Sequence, residues 1–283
     1  MKLPMKPDFT DKVAVVTGGA GVLCSAFCKA LAACGAKVAV LDLTLERAEA
    51  LAEEIRQEGG TAKGFAANVL DEESLKKTHD EIAGLFGPCD ILINGAGGNN
   101  PAATSDDEFF SLDTMNDPEK TSFFDLTRAG FDKVFSLNIM GTLLPTQTFA
   151  KDMVEKEQGC IINISSMNAF TPLTKIPAYS AAKSGVSNFT QWLAVHFAKT
   201  GIRVNAIAPG FFSTAQNKAL LWNEDGSPTA RTGKILNATP MGRFGEPEEL
   251  IGSLLFLCDD ACSGFITGVI LPVDGGFNAY SGV

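Results

Sequence analysis

A doubly wound α/β domain, with a mostly parallel sheet of about seven strands and helices on both faces, is what this 283-residue sequence predicts. Three observations predict it. Short β-branched runs alternate with helical stretches from end to end, as in parallel strands joined by crossover helices. A glycine-rich turn, TGGAGVLC, follows the first run and opens a helix. No composition break, repeat or linker interrupts residues 1–283, so the chain reads as one domain.

The elements follow in order. Lys12–Thr17 (KVAVVT) is a buried strand, and Leu23–Cys34 a helix stopped by Gly35. Lys37–Leu41 is the second strand, ending at Asp42, and Leu45–Gln57 an amphipathic helix closed by Gly59-Gly60. Ala62–Ala66, a helix over Glu72–Phe86 and the strand Asp90–Asn94 come next. Residues 98–125, rich in Asp, Asn, Ser and Gly, lack periodicity and read as an ordered insertion over one edge of the sheet. One helix is expected from Arg128 to Lys156, with Asn138 in its middle and a kink or a local break at Pro145. The apolar run Ile161, Ile162, Ile164 marks the fifth strand, followed by a helix to Lys199 and the strand Ile202–Ala208. Residues 211–245 read as irregular, before a helix over Pro247–Cys258 and a last strand at Gly268–Val273.

Composition excludes several classes of protein. The formal net charge of −10 argues against nucleic acid or an anionic membrane as partner. No apolar run reaches membrane-spanning length, and MKLPMKPDFTDK lacks the apolar core of a signal peptide. Seven scattered cysteines and two histidines fit neither a disulfide framework nor a metal centre, and point to a reducing cytoplasm.

The candidate chemistry lies at the ends of the strands. Strand, TGGAGVLC and helix form the layout of a dinucleotide turn, in which bare backbone brings a pyrophosphate to a helix N-terminus. Asp42 ends the next strand at about the distance where an acidic residue binds the adenosine ribose; its charge favours NAD over NADP. Further on, Ser166 follows the fifth strand, and Tyr179 and Lys183 are spaced i, i+4. That spacing places both side chains on one helix face, about 6 Å apart at Cβ. A cation there is expected to lower the phenol pKa, so that Tyr179 exchanges a proton with a substrate oxygen held by Ser166.

These motifs together resemble the short-chain dehydrogenases/reductases over nearly the whole chain. The matching residues are Thr17–Gly21, Asp42, Asn94-Gly95-Ala96-Gly97, Asn138, Ser166, Tyr179, Lys183, Pro209-Gly210 and Thr214. The resemblance implies a Rossmann-type fold and a catalytic tetrad of Asn138, Ser166, Tyr179 and Lys183. In it Tyr179 is the acid/base, Lys183 also holds the nicotinamide ribose, and Asn138 positions a proton-relaying water. It implies NAD contacts from Gly18, Gly21, Val22, Leu23, Asp42, Asn68, Val69, Asn94, Ala96, Gly97, Pro209, Gly210, Phe212 and Thr214, besides Tyr179 and Lys183. Val22 and Cys24 depart from the family by replacing its later turn glycines.

SSMNAFTPLTKIPAYSAAK, the ending PVDGGFNAYSGV and the insertion are similar to a branch acting on sugar acids. That branch implies reversible hydride transfer on the D-fructuronate/D-mannonate pair, and the family implies a homotetramer. An anionic hexuronate needs a polar pocket with a cation. Lys175 is the candidate cation, joined by Asn168 and Asn99 with Ser166 and Tyr179. Asn100, Gln216 and Asn217 add amides on the segments framing the cleft.

Overall fold

The computed structural model describes residues 3, 5–213 and 221–282. Seven parallel strands form one sheet in the order β3-β2-β1-β4-β5-β6-β7: β1 Val13–Thr17, β2 Lys37–Asp42, β3 Thr61–Ala66, β4 Ile91–Asn94, β5 Gly159–Ile164, β6 Ile202–Pro209 and β7 Ile270–Val273. The order reverses between β1 and β4, whose registers pair Thr17 with Asn94. A crevice opens at such a reversal, beyond the strands' carboxyl ends.

Alternate residues of the strands feed two cores. Ala14 and Val16 point to one face with α1 (Val22–Ala33), α2 (Leu45–Gln57) and the helix Ile251–Cys258. Val13 and Val15 point to the other, with α3 (Glu72–Leu85) and two long helices described below. Burial of β1, β4, β5 and β6 on both faces explains their largely apolar sequences, broken by buried Asn163 in β5 and by Arg203 and Asn205 in β6.

Two expectations need correction. The single helix expected over Arg128–Lys156 is α4 (Arg128–Phe135), a π-helical turn at Ser136–Met140, and α5 (Gly141–Lys156). Pro145 lies inside α5, and the irregularity sits ahead of it, centred on Asn138. A proline provides no N–H for the carbonyl four residues earlier, so the strain appears upstream of the ring. The second correction concerns 211–245. It holds a regular helix, Ala230–Ala238, whose N-cap Thr229 accepts from the Thr232 N–H. Gly233 and Thr232 weaken its helix propensity, which hid it. The Tyr/Lys helix, α6, runs Pro177–His196, and Pro247–Leu250 is a 3₁₀ turn ahead of Ile251–Cys258.

Candidate active site

The crevice between β1 and β4 is built first from backbone. Gly18 turns the chain at φ +61°, and a Cβ there would stand 3.0 Å from Ala96 Cα. Only glycine meets both demands. The Gly19 N–H donates to the Leu41 carbonyl at 2.8 Å and the Gly21 N–H to the Gly18 carbonyl at 2.9 Å. Gly21 then opens α1 with no side-chain cap and no acidic residue in the first turn. The positive end of that helix is therefore left for an anion.

Cys24 accounts for the family's missing glycine. It is buried in α1, and a Cβ on Gly95 would overlap its Sγ. The residue that leaves room at this contact is Gly95, in the loop after β4. Val22 and Leu23 remain half-buried at the helix start.

Asp42 ends β2 almost buried, with Oδ1 3.6 Å from Arg47. Arg47 also donates to the Ala20 carbonyl at 3.0 Å and so bridges the glycine turn to the carboxylate. The sequence reading missed Arg47; its place in the first turn of the helix after Asp42 was the available signal. Beyond β3, exposed Asn68 accepts the Leu70 N–H at 3.0 Å through Oδ1, while Val69 is buried against Gly141.

Asn94 is buried at the end of β4. Its Nδ2 donates to Thr146 Oγ1 and Asn163 Oδ1, both at 2.9 Å, inside the layer between sheet and helices. That side chain ties β4 and β5 to α5. The next residues do face the crevice edge: Gly95 and Ala96 donate their N–H groups to Thr17 Oγ1 at 3.1 and 3.3 Å.

Two of the tetrad positions, Asn138 and Lys183, converge on Gly97. A Cβ at Gly97 would lie 2.7 Å from Asn138 Oδ1 and 3.0 Å from Lys183 Nζ, so these two side chains flank the bare glycine. Asn138 is fully buried, donating to the Val134 and Gly98 carbonyls at 2.8 Å each. Its own carbonyl accepts from Thr142 Oγ1 at 2.8 Å. The π turn thus presents Asn138 sideways to the loop after β4. Lys183 Nζ donates to the Ile164 carbonyl at 2.7 Å and lies 5.7 Å from the centre of the Tyr179 ring.

Electrostatics correct the expected tuning of the tyrosine. Burial pushes the Tyr179 phenol above its ordinary value, and a hydrogen bond with Ser166 only partly offsets this. Burial also pulls Lys183 down to about 8. The ammonium is bound to the β5 carbonyl, and its own desolvation weakens it as a charge beside the phenol. In this arrangement the phenol keeps its proton near neutral pH.

The substrate residues are more dispersed. Ser166 Oγ accepts the Asn168 N–H at 3.2 Å, and buried Asn168 Oδ1 has no partner among the described residues. Asn99 donates to Thr104 Oγ1 at 2.9 Å, and Asn100 caps the turn Pro101–Ala103, so both amides build the insertion. Lys175 adopts φ +72°, and its carbonyl accepts the Ser105 N–H at 2.9 Å. It lines a cavity of about 280 Å³ with Glu108, Phe109, Phe110 and Phe123, which does not include Ser166 or Tyr179. Pro209 closes β6, and a Cβ on Gly210 would meet Asp274. Phe212 is buried in the core against Gly245. Thr214, Gln216 and Asn217 lie outside the described residues. The sequence reading also missed the C-terminal tail, where Asn278 accepts from Thr171 Oγ1 at 3.2 Å and Phe277 meets Phe211.

No group of three or more His, Cys, Asp or Glu suited to a metal occurs among the described residues. No helix among them is long and apolar enough to cross a membrane.

Parallel sheet, uncapped α1 and the Ser–Tyr–Lys cluster at one crevice define an α/β oxidoreductase of the dinucleotide-binding class. The family model for short chain dehydrogenases matches residues 12–225, and the chain belongs to that family. An uncharacterized oxidoreductase of Haemophilus influenzae is 58% identical over 283 residues, covering 100% of this chain and 99% of that protein. One from Bacillus subtilis is 53% identical over 281 residues, covering 99% and 100%. A Haemophilus structure solved with bound NAD, described there as a candidate D-mannonate oxidoreductase, superposes with a TM-score of 0.95. It is 58% identical and covers 98% of each chain.

Proposed function

We propose that this chain is an NAD-dependent reductase/dehydrogenase of a sugar acid, interconverting a keto and a hydroxyl carbon, with D-fructuronate and D-mannonate as the pair. One observation carries the reading: Asn138 and Lys183 flank Gly97, Lys183 lies 5.7 Å from the Tyr179 ring, and Tyr179 is hydrogen-bonded with Ser166. The NAD-bound relative supports the cofactor and the substrate class. The site fits a dinucleotide, because α1 opens at Gly21 with no side-chain cap and no acidic residue in its first turn, leaving its N-terminus for a pyrophosphate.

NAD(H) supplies or takes up the hydride. Tyr179 gives its phenolic proton to the carbonyl oxygen during reduction and recovers it during oxidation. Ser166 donates a hydrogen bond to that oxygen. Lys183 holds the ribose, and Asn138 fixes the loop carrying Gly97 and places a relay water. Asp42 accepts from the adenosine ribose hydroxyls and disfavours a 2′-phosphate. The exposed apolar residues Trp192 and Val195 on α6 and Val154 on α5 support a homotetramer built on these helices, to be checked by light scattering.

The test is NADH consumption with fructuronate, a neutral ketohexose and an acyl-thioester, for wild type and Lys175→Ala. Wild type should prefer fructuronate. Lys175→Ala should weaken fructuronate use by about 10- to 100-fold, the value of a charge-assisted contact, and spare the neutral sugar. Preference for the neutral sugar would remove the sugar-acid assignment. A second reading, reduction of an apolar acyl ketone, is favoured by the phenylalanines around the cavity at Lys175. Turnover of the thioester alone would select it.

A further inference from the structure

Two separate stretches of chain, one following β4 and one following β6 on the carboxyl-end side of the sheet where the crevice opens, meet in an ion pair. Glu108, in the 98–125 insertion, meets Lys234, on the helix Ala230–Ala238, at 2.6 Å. The partners are 126 positions apart in sequence. Glu108 is held below the usual carboxylate range, first by the Lys234 hydrogen bond and then, after its slight burial, by the charges of Lys234 and Lys175. Its neighbours fix it in place. The Ser105 N–H donates to the Lys175 carbonyl, and Asp106 pairs with Thr121 through both backbone and carboxylate. Asp107 accepts from the Thr114 hydroxyl. The insertion is therefore anchored to the loop ahead of α6 on one side, and Glu108 is its ion-pair link to the 230–238 helix on the other.

We propose that the Glu108–Lys234 pair is a positioning clasp that holds the insertion to the 230–238 helix across the mouth of the active site and sets how well substrate is retained. The clasp touches neither reacting atoms nor cofactor. Glu108 and Lys234 are 30% and 67% exposed at their side chains, so the pair adds little to global stability. Its effect falls on the local opening of the two segments relative to one another.

The inference rests on the oxidoreductase reading for its kinetic arm only, and a second arm needs no substrate. Glu108→Gln and Lys234→Gln should each raise the KM for the ketone that turns over best by about 2- to 5-fold, the worth of an exposed ion pair, with kcat within twofold. Backbone hydrogen exchange at 105–125 and 230–238 should quicken by a similar factor, with that of β1, β4 and β5 unchanged. The exchanged pair Glu108→Lys/Lys234→Glu should restore both readouts. Exchange unchanged in the single variants, or no recovery in the exchanged pair, would overturn the clasp. Were no ketone in the panel reduced, the sugar-acid reading would fail while exchange still decides this one.

Discussion

The floor of the active site and the walls around it are made in opposite ways. The floor is backbone and buried side chains: Gly18 against Ala96, and Gly97 against Asn138 and Lys183, with the Lys183 ammonium on a β5 carbonyl. Each position there is fixed by close packing or by a buried hydrogen bond. The walls are loops and short turns held by single hydrogen bonds and an exposed ion pair, and they show phenylalanines to solvent. A rigid floor sets the chemistry, and replaceable walls set what is admitted.

The sharpest way to test the floor is to remove one atom. Tyr179→Phe deletes only the hydroxyl, so turnover should fall about 100-fold or more, with NADH binding measured by fluorescence nearly unchanged. A loss below tenfold would deny Tyr179 the proton transfer. Because burial raises its pKa, wild-type ketone reduction should hold at neutral pH and decline on the alkaline side, while alcohol oxidation climbs there.

Gly97→Ala probes the same floor through space alone. The added carbon must displace the Asn138 amide or the Lys183 ammonium, and a shift of that size should cost about 10- to 100-fold in turnover. A glycine-to-alanine change in the wall, Gly233→Ala on the helix Ala230–Ala238, should leave turnover within twofold, since nothing lies within 4 Å of a Cβ there. Equal effects at the two sites would erase the contrast between floor and wall.

Asp42→Ala should shift the preference for NAD over NADP by about tenfold, the range of one charged hydrogen bond. Arg47, freed from its 3.6 Å contact, would then be available to a 2′-phosphate. Unchanged preference in a binding titration would place cofactor selection elsewhere.

The smallest effect is far from the crevice. Burial alone would depress His79, but hydrogen bonds to Asp152, at 2.9 Å, and Asp80 leave its pKa raised. A raised folded pKa gives stability that is complete below the ordinary histidine value and lost as pH rises through the folded one. His79→Gln should therefore cost about 1 kcal/mol at pH 5.5 in denaturant melts, and less at pH 8.5. A cost that grows with pH would reverse the assignment.

This same contrast governs what the sequence made legible. Strands, the glycine turn, Asp42 and the Ser–Tyr–Lys spacing follow from periodicity and close packing, which leave marks in residue type. Lys175, Asn99 and Asn100 carried the right chemistry for a sugar-acid pocket, yet the structure spends both amides on turns and sets Lys175 beside Glu108. Asn94 likewise matched a motif while its side chain serves the layer between β4 and α5. Such outcomes depend on which way a side chain leaves the backbone, and spacing along the chain does not encode that. The helix Ala230–Ala238 escaped because Gly233 and Thr232 blur its periodicity.

The contact between Cys24 and Gly95 also makes the two positions interdependent. A side chain at 95 and a thiol at 24 would occupy one volume, so the two exclude one another. A larger residue at 95 would be tolerated only once the thiol had been given up, and the order of the two changes decides whether the protein between them folds. The pair is thus a two-step lock in which one order of substitution is open and the other is closed.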